Sequence, residues 1–372
     1  MSLRVIQILP SLDSGGVEQV VLSIAKYLVQ TGHHSTVLSS GGTLVDGLVL
    51  GGTEHIHLPI GKKSLFLLRY IPYLRKIFSR ADIIDVHSRF PAWLAYLAWR
   101  GMPEKTRPGL ITSCHGAYHV NRYSAIMTKG QKVIAASEYI CEYIIHNFPR
   151  IDRHRIITIP RGIDPDRYNN QFTPADSWLS NWYLQYPSLK NKFILTLPGR
   201  ITRLKGHEEF LRLMDILIKK GLNVHALIVG GHHTSKEKYF NRLKGLCQTL
   251  GLSRHITFTG YRSDLREIMS ISGIVFSLTR DPPEGFGMTT LEALSLGTPV
   301  IAYNLGGVSE ILQTLFPDGL VEPGNSNEII ERVEKYYARK PAISGDNPYV
   351  LQKMLDRTIE CYEQLHQENI SR

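Results

Sequence analysis

Two glutamates eight positions apart enclose a glycine-bearing turn in the stretch Pro282-Pro283-Glu284-Gly285-Phe286-Gly287-Met288-Thr289-Thr290-Leu291-Glu292. Before it runs Ile274-Val275-Phe276-Ser277-Leu278, short, apolar and β-prone. After it, Leu291 and Leu294 begin a helical pattern that stops at Gly297 and Pro299. The order is strand, turn, helix. At Gly285 and Gly287 a ligand can approach the backbone closely. The first helical turn, from Met288 and Thr289, offers unpaired N–H groups and the positive end of a dipole, which suits a phosphate. Glu284 precedes this anion site and Glu292 follows it by about two helical turns, so one molecule could meet both only if it spans that distance.

A sugar joined to a nucleoside through a diphosphate has that shape, with hydroxyls at each end and charge in the middle. A second pair of residues fits the charge. Arg200 and Lys205, in Pro198-Gly199-Arg200-Ile201-Thr202-Arg203-Leu204-Lys205-Gly206, lie between a strand pattern and a helix pattern, where two cations could neutralise a departing diphosphate. Taken alone they are two of the 43 lysines and arginines in the chain, and ordinary surface cations would look the same.

The flanking pattern is more specific. Glu-x7-Glu, the Gly-Phe-Gly within it and the following Leu-Gly-Thr-Pro-Val-Ile-Ala resemble the donor site of retaining glycosyltransferases of family four, the GT-B architecture. The resemblance implies an α/β fold of two Rossmann-like domains facing each other across a cleft, with a C-terminal helix crossing back to the first domain. It implies transfer of a sugar from a UDP- or GDP-linked donor, with no metal and no other cofactor. Glu284 would hold donor-sugar hydroxyls and Glu292 the ribose, with Gly285, Phe286, Gly287, Met288 and Thr289 around the donor. Gly-Arg followed by Lys-Gly gives Arg200 and Lys205 a phosphate role.

In the first half the resemblance raises Gly15-Gly16 from a flexible turn to a loop near the diphosphate. It also places His115, in Cys114-His115-Gly116-Ala117-Tyr118, beside the donor sugar and the reacting bond. His87 and Arg89 close a strand pattern, where functional groups of open α/β sheets gather, and with Tyr118 they are candidates for the acceptor side. Arg161 stands where most relatives carry Asn, and could meet acceptor phosphate or pair with a neighbouring acid. Tyr261 and Arg262 border the strand end that holds the base in relatives. The segments His87 to Trp93, Cys114 to Tyr118 and Pro160 to Asp164 look similar to bacterial enzymes that build the lipopolysaccharide core, which implies a glycolipid or lipopolysaccharide-core acceptor.

These side chains need a scaffold, and the chain spells one. Val5 to Leu9 is an apolar strand, Pro10 to Glu18 a loop, Gln19 to Gln30 a helix and Ser35 to Ser39 a second strand, a βαβ opening that predicts a parallel sheet. Gly-x-Gly-x-x-Gly is absent after the first strand, which argues against a nicotinamide dehydrogenase. A helix is expected from Pro91 to about Trp99. We place the first domain at 1–168 and the second at 169–349. The last helical pattern, with Leu351, Leu355, Ile359, Tyr362 and Leu365 on one face, returns to the first domain.

A length of 372 residues accommodates two cores, and 43% hydrophobic with 20% charged residues is the balance of a globular chain. No apolar run reaches membrane-spanning length, the start reads as a strand, and the four cysteines are scattered, so a cytoplasmic protein is expected. Asp164-Pro165-Asp166 reads as a proline turn, and adjacent His232-His233 as solvated, with no metal at either. The net charge of +10 calls for an acidic partner. From Lys62 to Arg80, basic residues alternate with Leu, Phe and Tyr as in an interfacial helix interrupted by Pro72, which points to peripheral contact with an anionic membrane. A sugar-nucleotide epimerase or a phosphorylase would share the architecture, although no lysine context suggests pyridoxal phosphate. Nucleic acid is not expected as a partner, because no recognisable motif or stacking platform is present.

Overall fold

Short apolar strands that alternate with amphipathic helices must be covered on both faces, and parallel sheets flanked by helices are the arrangement that does so. The computed structural model describes residues 2–13 and 15–371. It divides into two compact units, Met1–Gly162 with Tyr349–Arg372, and Ile163–Pro348.

The first unit holds β1 (Arg4–Ile8), β2 (His34–Ser39), β3 (Glu54–His57), β4 (Ile83–Val86), β5 (Gly109–Cys114), β6 (Lys132–Ala135) and β7 (Ile156–Thr158). All pair in parallel, in the order β3-β2-β1-β4-β5-β6-β7. Ile6 stands opposite Thr36 on one side and Ile84 on the other. The order reverses between β1 and β4, the switch point at which open α/β sheets bind ligands.

Successive strand residues point to opposite faces. Ile6, Ile8, Ile84 and Val86 join Leu74, Phe78 and Trp99 in one core. Val5, Ile83 and Ile111 join Leu355, Ile359, Tyr362 and Leu365 of the final helix, Leu351–Ile370, in another. That helix therefore completes the first unit. Tyr362 and Leu365 are almost wholly buried, and each contributes about 1.5–3 kcal/mol by leaving water.

The second unit holds β8 (Phe193–Pro198), β9 (Val224–Val229), β10 (Ile256–Gly260), β11 (Ile274–Ser277), β12 (Val300–Tyr303) and β13 (Leu320–Val321). The order is β10-β9-β8-β11-β12-β13, again wholly parallel. Its switch point lies between β8 and β11.

Three local expectations change. The first helix begins at Gly16 rather than Gln19, because extended Gly15 serves as its N-cap and Glu18 suits its first turn; Ser14 of the expected loop lies outside the described residues. The helix expected from Pro91 spans Arg89–Arg100, since a proline in the first turn removes an N–H that has no helical partner there. Pro72 likewise starts a helix, Ile71–Phe78, directly after the 3₁₀ turn Leu65–Tyr70, so the basic segment is two short pieces rather than one broken helix.

Candidate active site

In the second unit the loops after β8 and β11 meet because those strands are neighbours. Lys205 ends the loop after β8, and its Nζ lies 2.5 Å from Glu284 Oε1, in the loop after β11. Thr279 Oγ1 donates to the same carboxylate oxygen at 3.0 Å. Arg200, earlier in the loop, is exposed and has no ion-pair partner among the described residues. A paired lysine and an unpaired arginine thus share one strand-to-helix connection.

The Glu284 loop is held from below by a second glycine turn. Gly307 N–H donates to the Glu284 carbonyl at 2.9 Å, and a Cβ on Gly307 would come within 2.5 Å of the Gly285 carbonyl oxygen. Phe286 is buried beneath the loop. Gly287 caps the helix Met288–Ser295 with a left-handed φ of 106°, and a Cβ there would stand 2.5 Å from Val308 Cγ2. Met288 and Thr289 form the first, half-buried turn. Gly287→Ala is expected to destabilise the protein by about 1–3 kcal/mol, from the backbone conformation and the contact together. A urea unfolding midpoint equal to that of wild type would refute this.

Glu292 lies in the same helix, half-buried. Burial pushes its carboxyl up to about 7, with Arg167 only partly offsetting it. Arg167 and Tyr168 were not singled out in the sequence, because their proximity to Glu292 arises across a long chain separation. Thr279 was missed for the same reason.

Arg262 follows β10, which β9 separates from β8. Its guanidinium meets Asp264 at 2.8 and 2.5 Å, and Asp264 also accepts from Trp178 Nε1 at 2.8 Å. No contact joins it to the Lys205–Glu284 cluster among the described residues, whereas neighbouring Tyr261 is exposed. His232 is less solvated than expected, stacked on Phe240 and 2.5 Å from Glu237. Asp164 Oδ1 accepts from Asp166 N–H at 3.0 Å, the turn chemistry expected. A wide surface cavity of about 380 Å³ is lined by Arg203, Arg242 and Arg280. Arg242 and Arg280 face Glu208 and Glu209, and neither Lys205 nor Glu284 lines it.

In the first unit, strand ends around the switch point gather Gly16, His87, His115 and Arg161. A Cβ on Gly16 would stand 3.0 Å from Arg161 Nη1, so this glycine makes room for the guanidinium. His87 follows β4 and His115 follows β5. Their rings stack at 5.3 Å, with His87 Nδ1 and His115 Nε2 3.0 Å apart. Burial lowers both basicities, most at His115, and buried Arg161 lowers both further, while Asp85 partly offsets the effect at His87. Arg89 lies over the rings of Tyr118 and Tyr123 and donates to Ser124 Oγ at 3.3 Å. The Tyr118 carbonyl accepts from Tyr143 Oη at 2.5 Å. Burial also raises the Tyr118 phenol.

Beneath the histidines lies Asp85, which sequence reasoning passed over. It accepts from Tyr362 Oη at 2.6 Å and Ser113 Oγ at 2.7 Å. The one signal was a carboxylate in an otherwise apolar strand, Ile83-Ile84-Asp85-Val86.

Comparison with known proteins agrees with both halves. The model of Glycosyltransferase Family 4 matches residues 14–167, and that of Glycosyl transferases group 1 matches residues 184–344. Spore coat protein SA of Bacillus subtilis is 23% identical over 94% of this chain and 95% of its own length. A glycosyltransferase from Rickettsia africae superposes with a TM-score of 0.84, at 28% identity over 98% of each chain. HepE from Anabaena, solved with UDP and glucose, superposes with a TM-score of 0.81, at 18% identity over 97% of this chain and all of that one. With the two models matched in sequence along most of its length and a parallel α/β sheet in each unit, the chain belongs to the family 4, group 1 glycosyltransferases, enzymes that use nucleotide sugars.

Proposed function

We propose that this protein transfers a sugar from a nucleoside-diphosphate sugar to a phosphorylated glycolipid of the lipopolysaccharide-core type, with retention at the anomeric carbon. The bond from that carbon to the diphosphate breaks, a bond to an acceptor hydroxyl forms on the same face, and the acceptor proton passes to the leaving phosphate. Positive charge grows on the sugar ring and negative charge on the diphosphate. Stabilising the latter is the largest contribution open to the protein. Lys205, Arg200 and the N–H groups of Met288 and Thr289 are assigned to it.

The observation that carries the reading is the Lys205–Glu284 contact at a sheet switch point, beside a helix N-terminus. Glu284 is assigned the donor-sugar hydroxyls, Glu292 the ribose, and His115 a further sugar hydroxyl. Gly15 and Gly16 are assigned to the donor, and His87, Arg89, Tyr118 and Arg161 to the acceptor side. Arg262, committed to Asp264, is left with a supporting place near the base. UDP is the first base to test, because the Anabaena relative was solved with it, and GDP the second. A ligand that binds only the folded protein raises its Tm. UDP or GDP should therefore do so where ADP does not, and an equal response to all three, or to none, overturns the donor assignment. The anomeric configuration of the product, read by proton NMR, tests retention.

The acceptor reading has its own support. Leu65 and Phe66 are 83% and 64% exposed, on a segment that also exposes Lys62, Lys63, Arg69 and Tyr73, while Leu67, Leu74 and Phe78 anchor it to the core. Exposed apolar side chains ringed by cations suit an anionic bilayer surface. No described helix is long and apolar enough to cross a membrane, so contact would be peripheral, on the cytoplasmic face. The protein is expected to sediment with phosphatidylglycerol vesicles and not with neutral ones. Leu65→Ser with Phe66→Ser should reduce the bound fraction several-fold, and equal sedimentation with both vesicle types would exclude an electrostatic surface.

A further inference from the structure

We infer that Asp85, through His87, sets which nitrogen of His115 carries the proton, so that His115 presents Nδ1 as a bare acceptor; Asp85 and His87 are then positioning residues for the sugar site. The inference rests on the assignment of His115 to a sugar hydroxyl, but its structural half can be tested without that assignment.

One line of atoms joins Asp85 to His115. Asp85 is wholly buried, and both carboxylate oxygens accept hydroxyl protons, from Ser113 and from Tyr362 of the final helix. Oδ2 also lies 3.5 Å from His87 Nε2. That nitrogen is buried and has no hydrogen-bond partner of good geometry among the described residues. A lone pair aimed at a buried carboxylate would be repelled, whereas an N–H is attracted, so the His87 proton belongs on Nε2. His87 Nδ1 is then an acceptor, and among the described residues the ring nitrogen within reach is His115 Nε2 at 3.0 Å. Two lone pairs cannot face each other at that distance, so His115 Nε2 carries its proton and donates. His115 Nδ1 is left unprotonated, and it too is buried without a partner.

Burial disfavours a second proton on either ring. Asp85 and Arg161 are the charged groups that act on the pair, Ser113 and Cys114 line the same small cavity, and Tyr362 and Cys361 face Asp85 from the final helix. Burial, with the Arg161 guanidinium added, outweighs the pull of Asp85 on His87, so both rings favour the neutral form. An acceptor nitrogen whose tautomer is fixed beforehand needs no proton shift when a sugar hydroxyl is brought against it, whereas a ring free to exchange would spend part of its time presenting N–H instead. The carboxylate thus acts through two rings on a group beside the reacting sugar.

Nitrogen-15 NMR of histidine-labelled protein reads the tautomer directly. In the wild type, His115 Nδ1 should show a pyridine-type resonance and Nε2 a pyrrole-type one; a pyrrole-type Nδ1 overturns the inference, whatever any variant does. Asp85→Asn removes the charge that orients His87 and should move a substantial fraction of His115 to the Nδ1–H form. Tyr362→Phe removes a hydrogen bond to Asp85 and leaves the charge, so it should keep the wild-type tautomer and controls for general loosening. In transfer assays Asp85→Asn should lower kcat about 10–100-fold with little change in donor KM. Wild-type kcat in that variant, with its tautomer shifted, overturns the positioning role and leaves the donor assignment standing. If UDP and GDP fail to raise the Tm while the resonances are as stated, the donor reading falls and the tautomer relay survives.

Discussion

Replacing Lys205 with Ala should lower kcat for sugar transfer by about 10²–10³-fold, the loss typical of deleting one preorganised group that stabilises transition-state charge. In the resting protein the Lys205 ammonium is held by Glu284, whose carboxylate also accepts from Thr279 and whose main-chain carbonyl is held by Gly307 N–H. On our reading an arriving diphosphate gives the lysine a second, stronger anion and loosens its hold on Glu284 Oε1, leaving the carboxylate to accept from sugar hydroxyls. Because diphosphate charge increases as the glycosidic bond breaks, the interaction is stronger in the transition state than in the bound donor. The loss should therefore fall on kcat more than on donor KM. Arg200→Ala should show a smaller effect in the same direction, since its exposed guanidinium is screened by solvent. The pair is partly exposed, so the fold should tolerate losing the lysine. A Lys205→Ala enzyme whose kcat stays within threefold of wild type would remove the site assignment.

The second large effect concerns Glu292. Its carboxyl is pushed up to about 7, chiefly by burial, from an ordinary value of 4.5. A folded-state value above the unfolded one means that the fold favours the protonated form. The resulting stability is fully present below about pH 4.5 and is lost as pH rises to about 7, beyond which nothing more is lost. Glu292→Gln, neutral at every pH, should therefore gain on wild type by about 3 kcal/mol between those limits. Urea unfolding of both proteins at pH 4.5 and 7.5 reads the difference, and parallel stability curves would refute it.

Binding should run the other way. A carboxylate accepts hydroxyl protons better than a carboxylic acid, so affinity for UDP should rise as pH passes through about 7. Glu292→Ala should weaken UDP binding about 10–100-fold, the range for hydrogen bonds to a charged group, with a smaller change in kcat. Calorimetry at pH 6 and 8 on wild type and variant checks both statements. A pH-independent wild-type affinity with an unaffected Ala variant would detach Glu292 from the ribose.

Much of this was legible in the chain because strands, turns and helix caps are local. Ile274 to Leu278 is apolar and β-prone over a few residues, and it folds as β11, Ile274–Ser277, with its helix after Gly287. Caps were read less well. Gly15 and Pro72 act at helix starts, where either residue also fits a loop, and composition alone does not separate the two readings. Arg262 was placed by its strand end, but a neighbour two residues on, Asp264, commits its guanidinium.

By itself the sequence determined that parallel sheets would form, and which loops would carry cations, glycines and carboxylates, since those follow from period and composition over short windows. The tertiary structure alone decided that β8 lies against β11, so that Lys205 meets Glu284 across 79 residues of chain. It alone decided that Tyr362 reaches Asp85 across 277, and that Glu292 is shielded enough to hold its proton near neutrality. Strand order and burial are settled by how whole elements pack, and no short window of residues contains that information.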